Sequence, residues 1–139
     1  MKDCFDITID VRAMLNVTSV TSLLGTGGAI FQTERPSGRV AFTDVVINAL
    51  GITNETIQRG SGNINIYAPA ITSGTAKLAD QVKLMNISRA VMPLVDAQYK
   101  PTFQTWIEDS STIMQDTDGS YFLNMPFKYQ SIQDNFKNI

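Results

Sequence analysis

The stretch at residues 62–92 constrains the fold most, because a strand pattern runs directly into a helix pattern there. In residues 63–68, asparagine or tyrosine alternates with isoleucine or alanine. This is the period of two expected for a strand with one packed face. Apolar residues then recur at helical spacing over residues 73–92. The stretch therefore predicts a strand whose apolar face is covered by a long helix.

The predicted helix has two apolar stripes on roughly opposite sides. The first consists of Leu78, Val82 and Met85, and the second of Leu84, Ile87 and Val91. One stripe can cover the sheet while the other contacts a partner, and we assign the second to the partner surface. The alternative is a helix held between the sheet and the N-terminal helix, with both stripes buried. Because Pro93 lacks an N–H, the helix is expected to end or kink near residue 91.

The remaining patterns predict a single α+β domain over residues 1–139. A helix is predicted at residues 3–15, with two aspartates near its positive end, although Phe5, Ile7 and Ile9 alternate with polar residues and are also compatible with a short strand. A short helix is predicted at 20–24, which Gly25 closes. Strand patterns follow at residues 29–32, 40–50, 56–68, 103–115 and 120–132. The four longer ones form two long hairpins. The expected fold is a four-stranded antiparallel sheet packed by a long central helix and an N-terminal helix.

The pattern at residues 120–132 is the clearest strand of the chain. One face carries Tyr121, Leu123, Met125, Phe127 and Tyr129. Phe122 falls on the other face, and Trp106 is either exposed with it or returned to the core by a bulge. Exposed aromatic side chains are typical of partner surfaces. Pro126 favours an edge position or a bulge. The segment at residues 60–62 predicts a break or a bulge in the preceding hairpin, and a bulge is also compatible with residues 43–44.

The absence of histidine limits the chemistry of the chain. There is no histidine and one cysteine, Cys4, so Ser-His-Asp and Cys-His catalytic sets and the common zinc sites are excluded. Cys4 has no cation near it in sequence and is expected to be a buried, inert thiol. We predict no enzyme activity and no catalytic, cofactor-binding or metal-binding residues.

Acidic residues cluster near one predicted turn without matching a known site. Asp116 and Asp118 alternate as in a calcium loop, but Gly119 follows at position four and the twelfth residue is apolar, so a hairpin turn is favoured. Glu108 and Asp109 point to opposite faces of a strand and are interpreted as solvated.

Charge and hydropathy indicate a protein made in the cytoplasm. The formal net charge is −2, which gives no basic footprint for nucleic acid. The N-terminus carries acids where a signal peptide would carry a basic end. The longest apolar run, residues 90–95, is far shorter than the roughly 20 residues that span a bilayer. Residues 134–139 are interpreted as a tail.

The order of elements resembles that of tail-terminator (tail-completion) proteins of tailed bacteriophages and of the related head-to-tail joining proteins. The likeness covers nearly the whole chain and lies in the order of the elements. In chain order, these are a helix at 11–15, a helix end at Leu23-Leu24-Gly25, Ile30-Phe31, a loop with Pro36, strands at 44–49 and 63–67, a helix with the sequence pattern of residues 78–82, and a hairpin around Asp118-Gly119. The glycine break at 60–62, Pro93 and the connector at 94–100 depart from this layout.

The resemblance implies a non-enzymatic virion structural protein that forms an oligomeric ring at the head-tail junction, as a tail terminator or as a connector of the neck. Its partners would be copies of itself, the tail tube, and portal or adaptor proteins. DNA would be only passing cargo in the channel, and no membrane would be involved. Assembly would take place in the host cytoplasm.

Seven residues are the candidates for a subunit or partner interface: Leu84, Ile87, Val91, Arg35, Pro36, Trp106 and Phe122. Two other classes of function stay open at this point. One is a small soluble α+β protein-binding module, and the other, with less support, is a histidine-free enzyme that uses aspartate or glutamate.

Overall fold

Two long antiparallel strands, β3 (Ile57–Ala68) and β9 (Tyr121–Ile132), form the centre of the molecule. In the computed structural model, which describes residues 1–108 and 111–132, they pair over their whole length. The alternation predicted for both strands is confirmed. Ile64 and Ile66 of β3 lie beside Met125 and Phe127 of β9 in the core, on one face of the sheet.

The main sheet is larger than expected. Its other strands are β1 (Ile30–Gln32), β2 (Asp44–Ile52), β6 (Gln98–Tyr99), β7 (Gln104–Ile107) and β8 (Thr112–Gln115). The seven strands lie in the order β1-β2-β3-β9-β7-β6, with β8 also paired to β9. β1 runs parallel to β2, so the sheet is mixed. The α+β class holds, but the prediction of a four-stranded antiparallel sheet is wrong.

Pro126 explains why the strand predicted at residues 103–115 is divided into β7 and β8. Its carbonyl oxygen accepts a hydrogen bond from the Glu108 amide at 3.0 Å, but proline has no N–H to donate to the same neighbour. Pairing of β9 with β7 therefore stops at Phe127, and pairing with β8 begins at Asn124. Pro126 therefore lies where the pairing of β9 passes from β7 to β8.

A separate hairpin replaces the first turns of the predicted long helix. It consists of β4 (Ile71–Ser73) and β5 (Ala76–Leu78), joined by a two-residue turn. Gly74 opens this turn with φ of +63°, a conformation that glycine adopts without a Cβ clash. Isoleucine and threonine in β4 favour a strand. Every residue of the hairpin, 71–78, is exposed.

Helices α1 (Cys4–Leu15) and α3 (Gln81–Val95) pack on one face of the main sheet, and α2 (Thr18–Leu24) packs beside α3. α1 begins with a capping box, in which the side chains of Asp3 and Asp6 each accept a hydrogen bond from the amide of the other. The N-terminal helix is thus confirmed. α3 continues through Pro93 to Val95. The predicted end near residue 91 is therefore wrong, and the alternative, a kink there, stays a prediction.

The predicted break at residues 60–62 does not occur, because the two glycines serve close packing. A Cβ atom at Gly62 would lie 2.2 Å from the Asn48 carbonyl oxygen and 2.7 Å from Cζ of Phe127. One at Gly60 would lie 2.8 Å from Cδ1 of Ile7 in α1. The irregularity of this hairpin lies instead in β2, between Ala49 and Gly51, and not near residues 43–44.

Two predictions fall on residues that the structure does not describe: the solvated Asp109 and the tail at 134–139. Within the described residues, every helix is too short or too polar to cross a bilayer.

Candidate interaction surfaces

α3 turns its second apolar stripe toward the sheet. The three residues of this stripe, Leu84, Ile87 and Val91, are buried in the core. Their assignment to a partner surface is therefore corrected: the exposed side of α3 carries Val82 and Met85, of which Val82 is 64% exposed. The reason is that α3 begins only at Gln81. Leu78 belongs to the hairpin, and the second stripe continues to Val95, which is also buried.

The face of the main sheet opposite the helices, called the open face below, carries the loop between β1 and β2, residues 33–43. A buried carboxylate holds this loop in place. Asp44, whose side chain is fully buried, accepts hydrogen bonds from Nε of Arg35 at 2.9 Å, from Nη2 of Arg39 at 2.6 Å and from the Ala29 amide at 3.0 Å. Arg35 also donates to Oγ of Ser120 at 3.2 Å. Arg35, a candidate interface residue, is thus enclosed in this network.

The Arg35-Arg39-Asp44 cluster is a fixed ion-pair network. Burial alone would raise the pKa of Asp44, but the hydrogen bonds from Arg39 and Arg35 outweigh it and hold this pKa below its ordinary value of 3.8. The hydrogen bond to Asp44 in turn raises the pKa of Arg39. Asp44 and Arg39 therefore stay charged near neutral pH. Pro36, also a candidate, is exposed beside the cluster.

Phe122 lies on the open face as predicted, but it is half-buried in an aromatic stack. Its ring centroid is 4.9 Å from that of Tyr67, and the guanidinium carbon of Arg35 lies 4.3 Å from the Tyr67 centroid, within cation–π range. The structure therefore brings two candidate residues, Arg35 and Phe122, to the same aromatic ring.

Asparagines bridge the strands in the middle of the open face. Nδ2 of Asn124 donates to Oδ1 of Asn65 at 2.7 Å and to Oδ1 of Asn63 at 3.1 Å, and Nδ2 of Asn63 donates to Asn48 at 3.3 Å. These polar groups satisfy one another across β2, β3 and β9. They fix the surface between the aromatic stack and the far end of the sheet.

Trp106 lies at that far end, 37% exposed, beside a groove of about 600 Å³. The groove has a mixed lining: Arg59, Ser61, Lys128, Gln130 and residues 50–53 at the end of β2. Nζ of Lys128 lies 3.6 Å from Glu108, and Nη1 of Arg59 lies 3.9 Å from Glu55. Both ion pairs are solvent-exposed, and pairs of this kind are weak. The two cations are therefore accessible to an acidic ligand that also contacts Trp106.

A second surface is apolar and lies around the exposed side of α3. Val82 and Met85 line a shallow cavity of about 390 Å³ together with Ile113 of β8 and Leu123 of β9. Ile113 is exposed on β8, a strand that pairs only with β9 among the described strands. Unpaired strand edges with apolar side chains are sites of association with other chains.

A third apolar surface lies on the outer side of α1. Phe5 is 66% exposed, Ile9 is 53% exposed, and the exposed Ala13 continues their i, i+4 spacing. Cys4 is exposed rather than buried, because it lies in the first turn, before the buried residues begin. Sequence reasoning missed this stripe, although its spacing was readable, because the same residues were also compatible with a strand.

Tyr129 and Asp118, two titratable groups elsewhere, have structural partners. The hydroxyl of Tyr129 donates to Oδ2 of Asp10 at 2.5 Å, and burial together with this bond raises the pKa of Tyr129 above its ordinary value of 10.0. Hydrogen bonds from Ser120 lower the pKa of Asp118 in the hairpin turn. In the ranges that the structure describes, no group of three or more acidic or cysteine side chains is placed to hold a metal ion.

Comparison with known proteins adds no relative. No protein-family model matches this chain, and no curated protein is significantly similar to it in sequence.

Proposed function

We propose that this protein is a non-enzymatic structural subunit that assembles with copies of itself, and that the assembly is a ring at the head-tail junction of a tailed bacteriophage. The oligomeric part of the proposal follows from the surfaces of the fold. The virion part follows from the resemblance of the element order to tail-terminator and head-to-tail joining proteins.

The observation that carries self-assembly is the exposed β4–β5 hairpin. It has three residues per strand, and Ile71 and Leu78 pair across it while each is 48% exposed. An isolated two-stranded hairpin is marginally stable at best in water. Within the chain, the hydroxyl of Tyr121 in β9 donates a hydrogen bond to the Lys77 carbonyl oxygen at 3.2 Å. Packing against another chain is expected to stabilise the hairpin further and would also cover these two side chains.

The apolar surface around α3 supports the same proposal. Val82 and Met85 come directly after the hairpin in sequence, and Ile113 borders them on an available strand edge. Covering this region and the hairpin would remove both sets of exposed apolar side chains from water. A second copy that adds a strand or helix to this region is a common mode of association.

The test of self-assembly is the mass of the purified chain in solution, measured by light scattering and native mass spectrometry over a range of concentrations. Because Cys4 is exposed, the measurement is made with a reductant present. We expect a closed oligomer of defined stoichiometry, visible as a ring by negative-stain electron microscopy. Replacing Ile71 and Leu78 together by aspartate should weaken it, whereas Ser19→Asp at an exposed position of α2 should not.

A chain that remains a monomer at every attainable concentration would overturn the proposal. The alternative function, a small protein-binding module, would then be favoured. The virion part is tested separately, by gold-labelled antibodies against the chain on purified phage particles. Labelling at the head-tail junction supports the proposal, and labelling elsewhere or only of free protein contradicts it.

A further inference from the structure

Two exposed surfaces lie back to back at one end of the molecule. Ile7 of α1 packs over Gly60 of β3 from the helix side, and the groove beside Trp106 lies over the neighbouring residues Arg59 and Ser61 on the open side. The outer stripe of α1, Phe5 and Ile9, points away from the sheet. A protomer therefore presents the stripe on its front and the groove on its back.

The two surfaces are complementary in polarity. The groove offers an aromatic side chain, Trp106, and two accessible cations, Arg59 and Lys128. The N-terminal end of the stripe offers Phe5 next to the carboxylates of Asp3 and Asp6. Each carboxylate uses one oxygen in the capping box, so its second oxygen can accept a hydrogen bond from a cation.

We infer that α1 of one copy docks its Phe5-Ile9 stripe into the Trp106 groove of the next copy, with Asp3 and Asp6 facing Arg59 and Lys128. This inference rests on the proposed self-assembly and specifies one of its interfaces. Because front meets back, the contact is heterologous, and successive copies form a ring when the rotation between them closes.

The alternative occupants fit the groove less well. The β4–β5 hairpin of a second copy carries exposed apolar residues, but its one charged side chain is Lys77, which would meet the cations of the groove. The α3 surface combines Val82 and Met85 with no acid among the residues that line its cavity. The α1 stripe is the exposed apolar surface that brings carboxylates with it.

The test uses two full-length variants, Phe5→Lys and Trp106→Glu. The first places a cation opposite Arg59 and Lys128 and removes an apolar contact, and the second places an acid opposite Asp3 and Asp6. Each should weaken assembly by roughly 10- to 100-fold in concentration, the effect of losing one large apolar contact. Thr21→Lys and Thr26→Glu, at exposed positions near α2, make the same charge changes elsewhere and should assemble as the unmodified chain does.

Mixing the variants identifies the pairing. Phe5→Lys keeps an intact groove, and Trp106→Glu keeps an intact stripe. In an equimolar mixture, the stripe of the second variant can therefore dock into the groove of the first. Native mass spectrometry should detect a 1:1 heterodimer at concentrations where each variant alone does not associate. Circular dichroism and thermal unfolding establish that the variants are folded. If either is not, Ile9→Lys and Lys128→Glu replace them in the same design.

The possible results separate this inference from the proposed function. An unmodified chain that never assembles overturns both. Assembly that neither variant weakens overturns the docking of α1 in the groove and leaves self-assembly standing. Weakening by both variants without recovery on mixing also overturns the docking, because the two surfaces would then not meet each other. Recovery of the heterodimer supports it.

Discussion

Replacing Asp44 by asparagine is the sharpest test of what holds the open face together. The carboxylate is fully buried and forms ion pairs with Arg35, whose side chain is 6% exposed, and with Arg39, whose side chain is 20% exposed. Asparagine has the same shape but no charge, and its amide group would donate toward guanidinium groups that also only donate. Arg39 would lose its anionic partner, and Arg35 would keep Asp118, whose Oδ2 lies 3.6 Å from its Nη1.

The expected cost can be placed within a known range. Removing one partner of a buried ion pair destabilises a protein by about 3 to 5 kcal/mol. We expect about 3 kcal/mol, the lower end of this range, because Arg39 retains access to water. With a urea m-value of about 1 to 3 kcal/mol per M, the unfolding midpoint should fall by about 1 to 3 M.

The assay is urea unfolding at low protein concentration, where association contributes least to stability. Glu34→Gln is the matched control, because it removes one carboxylate from an exposed position in the same loop, and it should change stability by less than about 0.5 kcal/mol. A loss for Asp44→Asn as small as that of the control would refute the argument that this cluster fastens the loop.

The pH dependence gives an independent check on Asp44. Its pKa is lowered in the folded protein, so its contribution is present above the unfolded value of about 3.9 and is lost as pH falls through the lower folded value. The stability difference between the unmodified chain and Asp44→Asn should therefore shrink below about pH 4. A difference that stays constant down to acid unfolding would contradict the ionic origin of the effect.

Three further predictions concern the core. Gly62→Ala should cost about 1 to 3 kcal/mol in urea unfolding, because its methyl group would overlap the Phe127 ring. Ile87→Ala should cost about 2 to 5 kcal/mol, whereas Val82→Ala on the exposed side of the same helix should cost under about 0.5 kcal/mol; equal losses would contradict the observed orientation of α3. The pKa of Tyr129 is raised in the folded protein. The contribution of Tyr129 to the free energy of unfolding is therefore complete below the unfolded pKa of about 10 and falls as pH rises above it. The free energy of unfolding, measured from pH 8 to 11, should decline more steeply for the unmodified chain than for Tyr129→Phe.

Part of the candidate surface was visible in the sequence. The alternation along β9 placed Phe122 on the open face, and Trp106 proved to be exposed rather than returned to the core. The partners of these residues were not visible. Phe122 is stacked on Tyr67 from a distant strand, and the cations beside Trp106 come from β3 and β9, because strand pairing decides which side chains share a surface.

The orientation of α3 is the clearest error of sequence reasoning. Two stripes of similar apolar character left the choice open, and it depended on where the helix begins. Residues 71–78 pair as a hairpin, which removes Leu78 from the helix and makes the stripe through Ile87 the longer one. Helical spacing alone does not show whether the first residues of a predicted helix pair as strands instead.

The sequence by itself determined the local features of this protein: the capped α1, the alternation of β3 and β9, the hairpin turn at residues 116–119, and the exclusion of histidine chemistry. These depend on side-chain spacing and on contacts between residues close in sequence. The tertiary structure decided the seven-stranded mixed sheet, the division of β7 from β8, the stripe of α3 that is buried, and the back-to-back placement of α1 and the Trp106 groove. Each of these depends on contacts between residues far apart in the chain, which a periodic pattern does not record.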